Sequence, residues 1–368
     1  MNGDTVRRFE QAFAAYVGAE YAIAMANGTC TLHTALATLG VGSWVSANEG
    51  RTIDKVREVA VPPLTMASTT IAVLHAGGAP VFVDVDPDTW LMEMGPAEVP
   101  VQMPVDLYGL HTQQNDWRDG ARGRGERAFV VDAAQTLRPH ESSPTSGYPE
   151  FTSYSFQASK ILSTGEGGML VTNDAELAKA ARRFVSLGYD LDGGSSTIDP
   201  ATLKHPTYAR HHSLGYNYRM ADAVAERGLM QTMPYFTGST ECMATNLLSD
   251  RRKAAALYRE AHAGCSWIKA QHVPEGWTHD YWTYAVAIES AELWQPFTEA
   301  IVRHGGEMPY GAWRITYQEP AFRHLAEDGT CPIAEDLQPR LVQAQTNDLE
   351  SARRNADAWS KAIQEING

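Results

Sequence analysis

Lys160 stands in SYSFQASKILSTGEGGMLVTND (Ser153–Asp174), with Thr164-Gly165-Glu166-Gly167-Gly168 just beyond it and then a strand-like run. An amine in such a polar, glycine-bordered turn can approach a carbonyl and form a Schiff base, provided burial lowers its pKa. The plainer alternative is a surface lysine ahead of a tight turn. Asp132 follows the apolar run AFVV and opens Asp-Ala-Ala-Gln. An acid at the end of a buried strand is costly without a partner, and a protonated pyridine nitrogen is such a partner. A helix cap or a structural ion pair accounts for it equally well. Gly28-Thr29 precede a helix-like stretch, where backbone N–H groups and a hydroxyl can hold a phosphate without basic side chains. Ser155 lies five residues before Lys160 and can offer a second hydroxyl. Each signal is weak by itself. In the order phosphate turn, acid after a strand, lysine, the set fits pyridoxal 5′-phosphate, whose ring is an electron sink when its nitrogen is protonated.

Such residues need a scaffold that gathers strand ends. Phe9–Tyr16 has helical spacing, Tyr21–Ala26 is strand-like and Thr31–Leu39 is helical again. Ala60–Pro62 predicts a strand stub before the helical TMASTTIAVLHAGG. Val81–Val85, Val101–Val105, Ala128–Val131 and Met169–Thr172 predict further strands. Strands alternating with helices predict an α/β fold: a mainly parallel sheet with helices on both faces and ligands beyond the strands' carboxyl ends. Asn27-Gly28-Thr29 and Asp132 fall at such ends. The texture changes beyond about Tyr235, with helices over Asp250–Ala261, Phe297–His304 and Leu349–Ile366 and a strand over Tyr281–Ile288. Residues 1–235 therefore read as a large domain and residues 236–368 as a smaller α+β one. Asp116–Arg127 and Gly188–Thr207 read as loops, the second a candidate mobile loop at the active site. No internal repeat or low-complexity tract is evident.

Composition narrows the function classes. The chain has 368 residues, 43% apolar and 20% charged, which is ordinary for a globular protein with a substantial core. Thirty Lys+Arg against 44 Asp+Glu give a net charge of −14, a poor match to nucleic acid or anionic lipid. No apolar run reaches the roughly 18 residues of a spanning helix, and MNGDTVRRF lacks the apolar core of a signal peptide. Cys30, Cys242, Cys265 and Cys331 lie far apart with no CxxC, against a zinc site or a disulfide framework. His211-His212 has no third ligand at metal spacing and reads as loop, so no metal is expected. No GxGxxG follows an early strand, which disfavours a dinucleotide-dependent dehydrogenase. A cytoplasmic enzyme that binds neither nucleic acid nor membrane is expected.

The chain resembles the DegT/DnrJ/EryC1/StrS family of sugar aminotransferases within the fold type I, aspartate aminotransferase-like superfamily. The matching stretches run nearly end to end: FEQAFAAYVGAEYAIAMANGT, VAVPPLTMASTTIAVLHAGGAPVFVDVD, PVDLYGL, VVDAAQ, SFQASKILSTGEGGMLVTND and LGYNYRM. The last two are the most specific. The resemblance implies a seven-stranded, mainly parallel sheet sandwiched by helices, with a smaller C-terminal α+β domain. It implies that Lys160 carries the cofactor through a Schiff base and shuttles the proton, that Asp132 holds the pyridinium, and that Gln135 lies beside the ring. Gly28, Thr29 and Ser155 would bind the phosphate. Asn217 would reach the phosphate of a neighbouring subunit, which requires a homodimer. Pyridoxamine 5′-phosphate would carry the amino group in the half-reaction.

Four departures accompany the resemblance. Met66 follows Thr65 where the family places a ring-stacking aromatic, and a thioether can pack on a π face. SFHxxK is SFQASK, and its Gln157 is similar to the branch of 3-amino-5-hydroxybenzoate synthases and cyclitol aminotransferases. The family's PVH is Pro104-Val105-Asp106, and the stretch between PVDLYGL and VVDAAQ is short and rich in Arg and Gly. Tyr310, Trp313 and Arg314 lie where relatives present substrate-facing residues, and Arg219 is a candidate for the donor's carboxylate or for a structural ion pair. The aromatic YWTYAV (Tyr281–Val286) reads as small-domain core. The expected function is amino transfer from L-glutamate or L-glutamine to a keto-sugar, nucleotide-linked or free, or to a keto-cyclitol. A pyridoxal-phosphate-dependent lyase or dehydratase of the aminohydroxybenzoate-synthase kind is the alternative. A catalytically dead relative would have lost Lys160 or Asp132, and both are present.

Overall fold

The computed structural model describes residues 4–42, 57–112, 127–140, 149–189, 205–207, 209, 211, 213–233 and 242–368. Residues 116–126 and 190–204 of the two expected loops, His212 and the expected 235/236 boundary lie outside the described residues. The larger sheet contains β1 (Tyr21–Met25), β2 (Glu58–Val61), β3 (Ala79–Phe82), β4 (Val101–Gln102), β5 (Ala128–Asp132), β6 (Phe151–Ser155) and β7 (Gly168–Thr172). Their order is β1-β7-β6-β5-β4-β2-β3. Only β7 runs antiparallel to its neighbours; the other pairings are parallel. This is the expected mainly parallel, seven-stranded sheet.

Alternation along the strands decides which residues each face buries. On β1, Ile23 and Met25 join one apolar cluster with α2 (Gly28–Thr38) and α3 (Ser68–Ala76). Ala22 and Ala24 join the other, with α1 (Asp4–Val17). Helix α1 buries Val6, Phe9, Phe13 and Val17 at helical spacing. Its Phe13 ring meets Tyr154 and Phe156 edge-on at 5.0 and 5.2 Å, on and just beyond β6. Helix α3 stops at Gly77, whose φ of +82° is the left-handed conformation that glycine enters without strain.

Register fixes the functional end of the sheet. Met25 pairs with Gly168, Gly168 with Ser155, and Asp132 with Ser153, so the ends of β1, β5 and β6 lie side by side. A second sheet, ordered β10-β11-β9-β8, is built from β8 (Ile268–Ala270), β9 (Thr283–Ile288), β10 (Tyr310–Gly311) and β11 (Leu341–Gln345). Beyond α3 come helices α4 (Ala175–Val185), α5 (Asp222–Thr232), α6 (Met243–Ala261), α7 (Trp294–Arg303) and α8 (Leu349–Asn367). A third cluster, with Tyr258, Phe297 and Trp359 at its centre, joins the second sheet to α6, α7 and α8.

Several boundaries differ from the sequence expectation. The strand expected over Val81–Val85 ends at Phe82, because the Asp84 carboxylate turns away to accept the Ile333 and Ala334 backbone N–H groups. Pro104 lacks an N–H to pair, so β4 ends at Gln102 and Val105 forms a single bridge to Asp132. The strand expected from Tyr281 starts at Thr283, since Tyr281 has a φ of +50°. Strand β6 was not anticipated, nor were β8, β10 and β11.

Candidate functional site

The first turn of α2 is built by Asn27. Its side-chain oxygen accepts the Cys30 N–H at 2.9 Å, leaving Gly28 and Thr29 as the first two helical residues. The end of β6 packs against this turn: a Cβ on Gly28 would sit 2.9 Å from the Ser155 Cβ, so only glycine fits. Thr31 and Ser153 hydroxyls bond at 2.6 Å one layer below. A helix N-terminus, a hydroxyl and a close backbone thus converge, which suits a phosphate.

Asp132 ends β5 and is 3% exposed. Its Oδ2 accepts the Thr69 hydroxyl at 2.8 Å and its Oδ1 the Ala134 N–H at 3.1 Å. Burial pushes its carboxyl upward, and the Thr69 and Ala134 hydrogen bonds and Lys160 offset this only in part. Lys160 follows β6 in a turn closed by its own N–H on the Gln157 carbonyl, 2.8 Å. The Gln157 side chain accepts from the Ser159 N–H and hydroxyl at 2.8 and 2.7 Å. Burial pushes the Lys160 amine down to about 8, against the pull of Asp132. A buried carboxylate with no cation in hydrogen-bonding contact among the described residues, beside an amine close to neutrality and a glycine cradle, fits pyridoxal 5′-phosphate.

The other expected residues fall at varied distances from this centre. Gln135 is buried, and its side-chain oxygen accepts the Tyr108 N–H at 2.6 Å. Met66, 48% exposed, lies just before α3, two residues from Ser68, whose N–H approaches its sulfur at 3.4 Å. Residues 217–219 run along the end of β1: Ala26 N–H donates to the Tyr218 carbonyl, and Met25 bridges Arg219. Asn217 is exposed, and Arg219 makes no ion pair among the described residues. Trp313 stacks on Trp282 with centroids 5.8 Å apart. Tyr310 and Arg314 are exposed on the second sheet's side.

Two residues at the centre escaped the sequence reading. Thr69, which holds Asp132, carries no signal beyond being a hydroxyl in a helix start. Trp282 belongs to the aromatic run expected to be core, and Tyr284 through Ile288 are core. Trp282 itself is half-buried, its ring centroid 4.6 Å from Lys160 Nζ and its Nε1 donating to the Ser159 carbonyl. Among the described residues no cluster of His, Cys, Asp and Glu could hold a metal.

The sheet order and the strand-end site define a fold type I, pyridoxal-phosphate-dependent enzyme. The profile of the DegT/DnrJ/EryC1/StrS aminotransferase family matches residues 1–349, and the chain belongs to that family. It is therefore an aminotransferase. It is 29% identical over 298 residues to the GDP-perosamine synthase of Escherichia coli O157:H7, covering 79% of this chain and 71% of that one. It is 32% identical over 355 residues to the dTDP-3-amino-3,4,6-trideoxy-alpha-D-glucose transaminase of Micromonospora megalomicea subsp. nigra, covering 91% and 82%. The solved structure of a 3-amino-5-hydroxybenzoic acid synthase superposes with a TM-score of 0.76 at 22% identity, over 99% of this chain and 91% of that one, a likeness of fold alone.

Proposed function

We propose that the chain transfers an amino group from L-glutamate or L-glutamine to a keto-sugar carried on a nucleoside diphosphate. The observation that carries the chemistry is the placing of Lys160 just past β6, with the buried Asp132 carboxylate acting on its amine and the Gly28–Ser155 cradle at the neighbouring strand end. The names of relatives that make GDP- and dTDP-linked amino sugars support the acceptor. When bound, the cofactor supplies an aldehyde that takes up amino groups and a cationic ring that draws electrons. Gly28, Thr29 and Ser155 would hold its phosphate, Asp132 its ring nitrogen, and Met66 and Gln135 would flank the ring. Thr69 and the Ala134 N–H keep the Asp132 carboxylate aimed. Lys160 Nζ is basic enough to take a proton from the donor's α-carbon and acidic enough to return one near neutral pH. Arg219 is the seat for the donor's carboxylate, and Gln157, Tyr310, Trp313 and Arg314 lie on the acceptor's side.

The working unit in this reading is a homodimer, with Asn217 reaching the neighbour's phosphate site. Leu214 and Tyr216, 73% and 38% exposed just ahead of Asn217, support an apolar contact there. Residues 1–235 would form the cofactor-binding domain and residues 236–368 the smaller one. The acidic charge, four free cysteines and the absence of a described helix long and apolar enough to cross a membrane support a cytoplasmic location. The test is an absorption spectrum of the purified protein. A visible band is expected, absent in Lys160→Ala, and L-glutamate or L-glutamine should move it to the near ultraviolet. A band indifferent to both donors overturns the amino-transfer reading. No band after incubation with pyridoxal 5′-phosphate overturns the assignment of the site.

A further inference from the structure

The second sheet's side reaches Lys160 through a side chain held on a distorted turn. Trp282 directly precedes β9, with its ring 4.6 Å from Lys160 Nζ and its Nε1 2.8 Å from the Ser159 carbonyl oxygen. The residue before it, Tyr281, has a φ of +50°, a conformation that bulky L-residues avoid unless their surroundings impose it. Those surroundings are specific. Asp280 is buried; its Oδ2 lies 2.9 Å from His111 Nε2 and accepts the Leu137 N–H at 2.9 Å, while its Oδ1 accepts from Arg252 at 3.2 Å. The Tyr281 N–H donates to His279 Nδ1 at 2.8 Å, and the two rings stack 3.8 Å apart. A strand could begin without any of this, so the turn serves the placement of Trp282.

We infer that Trp282 is a positioning residue for Lys160: its ring face attracts the ammonium form of Nζ while its indole N–H anchors the adjoining peptide, holding the amine in the site. The inference rests on reading Lys160 as the working amine. A ring face favours the charged amine and so opposes burial, which pushes Lys160 downward; among the described residues Asp132 is the charged group acting on it, and it too favours the ammonium form.

Competitive acetylation of full-length, cofactor-free protein with a trace of acetic anhydride, read on the Lys160 peptide by mass spectrometry across pH, gives the amine's own titration. Trp282→Leu keeps apolar bulk without a ring, and its midpoint should fall by about half a unit to one unit. Trp282→Phe keeps a ring, and its midpoint should lie above that of Trp282→Leu. Equal midpoints in the two variants, or no fall in Trp282→Leu, overturn the inference. That failure leaves Lys160 untouched as the working amine. Covalent retention of the cofactor by Lys160→Ala would instead overturn the underlying reading.

Discussion

Among the described residues, buried Asp132 has two neutral donors and no cation in hydrogen-bonding contact, an arrangement that weakens the cofactor-free chain. Its carboxyl is pushed up by burial, so the stability it contributes is fully present below the ordinary value of 3.8 and is lost as pH rises through the folded value. Asp132→Asn keeps an acceptor for Thr69 and carries no charge. In thermal melts without cofactor, Asp132→Asn should exceed the parent by about 1–3 kcal/mol near neutral pH. The difference should close as pH falls towards 3.8. Cofactor affinity should move the opposite way, falling in the same variant, because the ring nitrogen loses its counter-ion. A variant that is less stable at neutral pH would show that the carboxylate is already satisfied without the cofactor.

Helix α2 shows how one cap links an element to the site. Asn27→Ala should cost about 1 kcal/mol of stability and weaken cofactor binding, because Gly28 and Thr29 take their places from that cap. Asp348 caps α8 in the same way, accepting the Ser351 N–H at 2.6 Å far along the chain from any expected site residue. Asp348→Ala should lower the midpoint of denaturant titrations and leave cofactor binding unchanged. If both variants lose cofactor equally, binding follows global stability and the cap has no special role. The elements legible in the sequence, among them α1, β1, α2, the apolar AFVV of β5, β7, α7 and α8, were those with helical spacing or an unbroken apolar run. FTSYS of β6 and LVQAQ of β11 mix polar residues into buried strands, so alternation and apolarity did not reveal them. The site divides along the same line. Lys160, Asp132 and Gly28-Thr29 sit in local motifs. Thr69 reaches Asp132 across 63 residues of sequence and Trp282 reaches Ser159 across 123, and no local pattern encodes such a contact.

Asp280 ties the two sheets together, receiving hydrogen bonds from loops of the larger sheet at His111 and Leu137 and from Arg252 on α6. Burial alone would raise its carboxyl; His111, the Leu137 N–H and Arg252 overcome that and hold it low. Its stabilisation is therefore present above the ordinary 3.8 and is lost as pH falls through the lowered value. Asp280→Asn should cost about 3 kcal/mol in chemical denaturation at neutral pH, and the loss should shrink in acid. The largest assembly at issue is the pair of chains, and it admits a test that neither chain passes alone. Lys160→Ala removes the amine and Asn217→Leu removes the group assigned to the neighbour's phosphate site. If each site takes Lys160 from one chain and Asn217 from the other, a mixed dimer holds one site with both defects and one with neither. Equal coexpression makes half of the dimers mixed, so about one quarter of the unaltered activity should return. Sites complete within one chain would regain nothing, since every chain in the mixture carries one defect. Activity near one quarter, with each variant inactive when expressed singly, therefore requires a site shared across two subunits.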